Sequence, residues 1–179
     1  MPIFRIIICV FLLGLSMFFM PGAQAFDSEK VVLLANNSSN TASPDDIAAL
    51  LNKLQTQFKF PKYEVLKSYK TPPAVADRAS LEKIAASAET DDVLVLDIKK
   101  FSSVDRLFGR EIIEETSVQM TLHYYNKKTG QFGQINGERF VTDIAGMNTH
   151  ALSVSLDVME EMLNKIDPIF PRQFPGPRY

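Results

Sequence analysis

Two short stretches of this chain carry no polar side chain at all: Val31-Val32-Leu33-Leu34-Ala35 and Val93-Leu94-Val95-Leu96. A strand with one wet face alternates polar and apolar residues, so an unbroken apolar run of this length marks a strand covered on both faces. Helical periodicity lies between the two runs. Strands joined through helices are typically parallel with right-handed crossovers, so the runs are expected as neighbours in the middle of a sheet.

The intervening elements follow from local signals. Ser43-Pro44-Asp45-Asp46 is a helix start: a capping hydroxyl, a proline at the first helical position and two carboxylates at the positive end of the dipole. Ile47, Leu50, Leu51, Leu54 and Phe58 continue it as one apolar stripe, and Pro61 is expected to end it. Tyr63 to Tyr69 reads as a second strand. Leu81, Ile84, Ala85 and Ala88 read as a shorter helix capped by Asp77 or Ser80. Val93–Leu96 continues as a strand through Ile98 and Phe101. Val118, Met120, Leu122 and Tyr124 then alternate with Ser117, Gln119, Thr121 and His123, the pattern of a half-buried antiparallel strand. Asn126–Gly130 is a turn, Phe132–Val141 the returning strand, and Leu152, Leu156, Met159, Leu163 and Ile166 mark a last helix stopped by Asp167-Pro168. The predicted fold class is α+β, in the order β-α-β-α-β-β-β-α, a mixed sheet with helices packed on it.

The first 25 residues form a segment apart. Arg5 precedes an uncharged apolar run of about 15 residues, shorter than the roughly 20 a membrane-spanning helix needs. Pro21-Gly22 and Ala23-Gln24-Ala25 follow, completing the pattern of a secretory signal peptide at 1–25 with cleavage after Ala25; a retained membrane anchor is the alternative. Removing 25 residues from 179 leaves 154, with 18 basic and 21 acidic side chains once Arg5 is gone, a net charge of −3. That is the size of one domain, expected over 26–170, with a Pro-rich extended tail over 171–179. No stable membrane span is expected after cleavage. The single Cys, Cys9, leaves with the leader, which excludes disulfides, thiolate catalysis and cysteine–zinc sites from the mature chain. The near-neutral charge balance, without a basic excess, argues against nucleic acid as a partner.

Three stretches together resemble the small α/β domain of the TolB amino-terminal region and of the curli-secretion outer-membrane lipoprotein. They are Val31–Ser38 (strand into an Asn/Ser loop), Asp92–Ile98 (third strand) and Leu122–Phe132 (hairpin with a Thr-Gly turn). Element order matches over roughly 30–167. The chain departs from the lipoprotein members in having no cysteine at the cleavage point, and it shows no long alternating insertion of the kind a pore needs. The resemblance implies a non-enzymatic envelope module that binds other proteins.

Signatures of chemistry are sparse. There is no GxSxG, GxGxxG or phosphate loop, and His123 and His150 have no His or Cys companion at metal-ligand spacing, so no cofactor, metal or catalytic residue is expected. Asp91-Asp92 reads as turn chemistry, and the lysine pairs 99–100 and 127–128 read as loop or edge-strand residues. Asp97 is the one carboxylate that attracts attention, closing an apolar run where α/β sheets place sites. The leading expectation is an exported protein-binding module with unidentified envelope partners. Its candidate contact residues are Asn36 and Asn37 in the polar loop, Thr129 and Gly130 in the hairpin, and Phe174 and Tyr179 in the tail, which equally reads as a frayed end. The alternatives are an exported carboxylate-based hydrolase using Asp97 with His123, or a structural protomer that assembles through edge strands.

Overall fold

The computed structural model describes residues 27–66, 71–144 and 150–172. Their order is β1 (Glu29–Asn36), α1 (Pro44–Gln55), β2 (Tyr63–Val65), α2 (Arg78–Ser87), β3 (Asp92–Phe108), β4 (Glu111–Asn126), β5 (Gln131–Ile144) and α3 (Ala151–Ile166). One five-stranded sheet runs β2-β1-β3-β4-β5. β1 pairs in parallel with β2 and β3, and β3, β4 and β5 pair antiparallel. The two apolar runs are neighbours, with Leu33 opposite Leu94 and Ala35 opposite Leu96. The predicted fold class and element order are those observed.

Alternate side chains feed two cores. Val31, Leu94, Leu96 and Ile98 pack on one face under α1 and α3, whose Leu50, Leu54, Val158, Met159, Met162 and Leu163 are all fully buried. Val32, Leu34, Val93, Val95 and Tyr125 pack on the other face against Leu81, Ile84 and Ala85 of α2. Burial on both faces is why these runs tolerate no polar residue.

The start of α1 is a capping box. Ser43 Oγ accepts from the Asp46 N–H at 3.2 Å, and the Asp46 carboxylate accepts from the Ser43 N–H at 2.9 Å. Asp77, not Ser80, caps α2, accepting from the Ser80 N–H at 2.8 Å. Three expectations are corrected. α1 ends at Gln55 rather than at Pro61, because Thr56 Oγ1 takes the Lys53 carbonyl and Phe58 turns inward, edge-on to Tyr63 and Phe170 at 5.1 and 5.7 Å. Asp92 belongs to no turn: it opens β3 and is wholly buried. Lys99 and Lys100 lie in neither a loop nor an edge strand, since β3 is central and its register shifts between Ile98 and Lys100. β2 covers only Tyr63–Val65 of the predicted strand; Leu66 lies beyond its end, and 67–69 lie outside the described residues.

The largest departure from the sequence reading is in length. β3 spans 17 residues and β4 16, and they remain paired far past the end of β1, where Asn36 stands opposite Asp97. Eleven further residues of β3, at about 3.3 Å each, make an arm of roughly 36 Å. Gly109-Arg110 closes its tip with Gly109 at φ +65°, the positive φ that a tight hairpin turn of this kind demands at its first position.

Candidate functional site

Register sorts the arm and the outer half of the sheet into rows. On the face away from α3, Lys100, Gln119 and Glu138 stand side by side, followed by Ser102, Ser117 and Phe140, then Val104, Glu115 and Thr142, then Arg106, Ile113 and Ile144. α2 covers the same face only farther back, around Val93, Val95 and Tyr125. Lys100, Gln119 and Glu138 are exposed, and Phe140 is 66% exposed. A hollow of about 430 Å³ opens beside Phe140, with Lys100, Ser117, Gln119 and Glu138 also lining it.

At the tip both faces are apolar and open. Leu107 and Ile112 project to one side and Phe108 to the other, with Leu107 and Phe108 each 75% exposed and Ile112 53%. Such clustering of large apolar side chains in the open is what interaction surfaces show. A second apolar hollow lies between α1 and the β1–β2 edge, lined by Leu33, Ala35, Ile47, Leu51 and Val65.

Polar constellations sit elsewhere. Where the arm leaves the body, the buried Glu114 carboxylate accepts from Ser103 Oγ and pairs with His150 Nδ1 at 2.7 Å, while Ser103 Oγ is also 2.6 Å from Thr116 Oγ1. Serine and histidine converge on the same carboxylate oxygen. The hydroxyl proton is thereby directed at Glu114 and not at the imidazole, so the cluster lacks the serine-to-histidine contact of an acyl-transfer site. It ties the residue that opens α3 to the arm.

Asp97 lies in mid-strand rather than at a strand end, and accepts a hydrogen bond from Ser38 Oγ. His123 is its diagonal neighbour on the same face; burial pushes its pKa down, Asp97 opposes that, and its Nδ1 finds no hydrogen-bond partner among the described residues. Asp92 is the site sequence reading missed. Its Oδ1 accepts from Asn126 Nδ2 at 2.7 Å and its Oδ2 has no hydrogen-bond partner among the described residues. Burial first, then the charges of Glu29 and Asp91, push its pKa up to about 7, against Lys128 and the Asn126 amide. Its position directly before an apolar run was the available signal. Among the described residues no group of three or more His, Asp or Glu is placed to hold a metal ion.

The predicted contact residues are not brought together. Asn37 holds its own loop, donating to the Ala42 carbonyl at 2.8 Å, and Asn36 is the last residue of β1. Thr129 and Gly130 form the β4–β5 turn at the opposite end of the β1–β3 ladder, where the Thr129 N–H donates to Asn126 Oδ1 at 2.8 Å. Phe174 and Tyr179, like the predicted leader, lie outside the described residues. The chain leading to the tail is tied down: Arg172 reaches Gln57 and Glu160, and the Pro171 carbonyl accepts from Lys62 Nζ at 2.9 Å.

No family model and no curated protein matches this chain. Solved structures do. The hypothetical protein CT253 from Chlamydia trachomatis is 7% identical, with 80% of this chain and 99% of that one covered and a TM-score of 0.50. The PelC dodecamer from Paraburkholderia phytofirmans is 19% identical over 84% of this chain and 93% of that one, TM-score 0.46. Lipoprotein GNA1162 from Neisseria meningitidis is 11% identical over 78% and 99%, TM-score 0.44. At these identities the likeness is one of fold, and no TolB or curli-secretion domain is among these three structures. Among the described residues no helix is long and apolar enough to cross a membrane.

Proposed function

We propose that this chain is an exported, non-enzymatic module of the cell envelope that binds another protein through the tip of its β3–β4 arm. One observation carries the reading: Leu107, Phe108 and Ile112 stand exposed on both faces of a ribbon that extends past the body of the sheet. A flat partner covers one face of a ribbon. Apolar side chains on both faces need a cleft that surrounds them, and aliphatic and aromatic anchors seated in pockets supply most of the binding energy of protein interfaces. The arginine-led apolar segment ending Ala23-Gln24-Ala25 supports export. The convergence of Ser103 and His150 on one carboxylate oxygen, and the separation of His123 and Asp97 from both hollows that hold apolar side chains, support binding over catalysis.

A photo-reactive phenylalanine analogue at position 108, incorporated in cells, tests this. The expected result is one cross-linked adduct of defined mass, lost when Leu107→Ser and Ile112→Ser are introduced together. Cross-linking that is absent, or that survives those substitutions unchanged, overturns the proposal.

A further inference from the structure

The uncovered sheet face behind the tip has a pattern of its own, and from it we infer that a second copy of this chain docks there, face to face, about a two-fold axis running along β4. The row Lys100–Gln119–Glu138 places a cation on β3 and an anion on β5, one strand to either side of β4. Rotation about β4 lays β3 of one copy over β5 of the other. Lys100 then meets the partner's Glu138, and Glu138 meets the partner's Lys100. Within one copy the two are separated by a full strand, about 10 Å of backbone. No ion pair joins them; among the described residues Glu138 has only a 3.5 Å contact from Gln119 Nε2.

The next row supplies the shape. Phe140, a projecting ring, shares it with Ser102 and Ser117, two small side chains; Ser117 and Phe140 itself line the hollow of about 430 Å³. The same rotation lowers each Phe140 onto the partner's Ser102, a small side chain that leaves room for the ring, so large meets small in both directions. Val104 then lies over the partner's Thr142. Glu115 meets its own image near the axis, and Arg106, 2.8 Å away, already neutralises it. Facing sheets pack about 10 Å apart, close to aligned, which long Lys and Glu side chains can bridge. Three strands over these four rows, about 26 Å in length, offer roughly 380 Å² of projected area per copy, roughly 760 Å² for the pair, below the about 1,200 Å² at which standard specific interfaces begin. The dimer is therefore one that dissociates on dilution. This inference does not depend on the tip binding anything.

Sedimentation velocity on the exported chain, over a concentration series, tests it. The expected result is a monomer–dimer equilibrium weakened about tenfold or more by Lys100→Glu or by Glu138→Lys alone, and restored to within about threefold of the parent when both are combined, as paired charges across an interface require. Phe140→Ser is expected to leave a monomer. All three positions are exposed, and unchanged thermal melting of each variant separates lost association from lost folding. A monomer at every concentration overturns the inference. So does a dimer indifferent to the single reversals, or one that the double reversal fails to restore; either outcome assigns the face to a different occupant.

Discussion

Gly137 of β5 lies directly beneath Met162 of α3: a Cβ built on the glycine would stand 2.6 Å from the methionine sulfur and 2.5 Å from Val158 Cγ1. The helix rests on bare backbone there, which brings Val158, Met162 and Leu163 fully into the core. Gly137→Ala forces α3 to lift or Met162 and Val158 to leave their positions, and overpacking of this kind costs about 1–3 kcal/mol. The urea midpoint should fall accordingly. A variant as stable as the parent would show that the seat is slack.

Asp92 makes stability depend on pH. Its folded pKa of about 7 lies above the ordinary carboxylate value of 3.8, so the folded protein binds the proton more tightly than the unfolded chain. The associated stability is complete below about pH 4 and is lost progressively as the pH rises to about 7. Asp92→Asn, which never ionises, should match the parent near pH 4, exceed it increasingly up to pH 7, and hold a constant advantage above that. The Asn126 amide can still donate to the new side-chain carbonyl. Parallel stability curves for the two proteins across that range would rule the account out.

Gln57 is 1% exposed and spans the end of the fold. Its Nε2 donates to the Phe170 carbonyl and, at 3.1 Å, to Asp167, and its Oε1 accepts from Arg172 Nε. Gln57→Leu keeps the bulk and removes these partners, including the one at Phe170, at a cost of about 1–3 kcal/mol for a buried carbonyl left with poorer company. Chemical denaturation measures it. Limited proteolysis after Arg172 should also quicken, and a cleavage rate equal to that of the parent would count against the tether.

Glu114 anchors the arm. Glu114→Ala deprives Ser103 and His150 of their shared acceptor and should cost about 2–4 kcal/mol, with Glu114→Gln milder because one acceptor oxygen remains. Hydrogen exchange is the sharper readout: amides of the first turn of α3 and of β3 near Ser103 should lose protection together. Faster exchange in α3 alone would separate the helix start from the arm.

Much of the body was legible in the sequence, because local chemistry and burial agree there. Val31–Ala35 and Val93–Leu96 pack against helices on both faces and say so by excluding polar residues. Ser43-Pro44 starts a helix by satisfying its own first N–H groups. The alternation from Val118 to Tyr124 marks a strand because Val118, Met120, Leu122 and Tyr124 all face the core under α1 and α3. The arm gave no such signal. From Ser103 to Ile113 the strands lie largely in solvent, so the burial that imposes a period of two is missing, and the Phe-Gly-Arg turn flanked by Val104, Ile112 and Ile113 was the one local sign of a hairpin.

What the chain determined by itself, then, is which segments become strands and helices and which strands must be central, since those depend on each segment's own periodicity and caps. Only the tertiary structure decided that Lys100, Ser117, Glu138 and Phe140 share one uncovered face, that Ser103, Glu114 and His150 converge, and that Asp92 is buried with an oxygen lacking a hydrogen-bond partner among the described residues. These are relations between strands and helices far apart in sequence. They are set by register and packing, and no local pattern in any one segment encodes its neighbour's register.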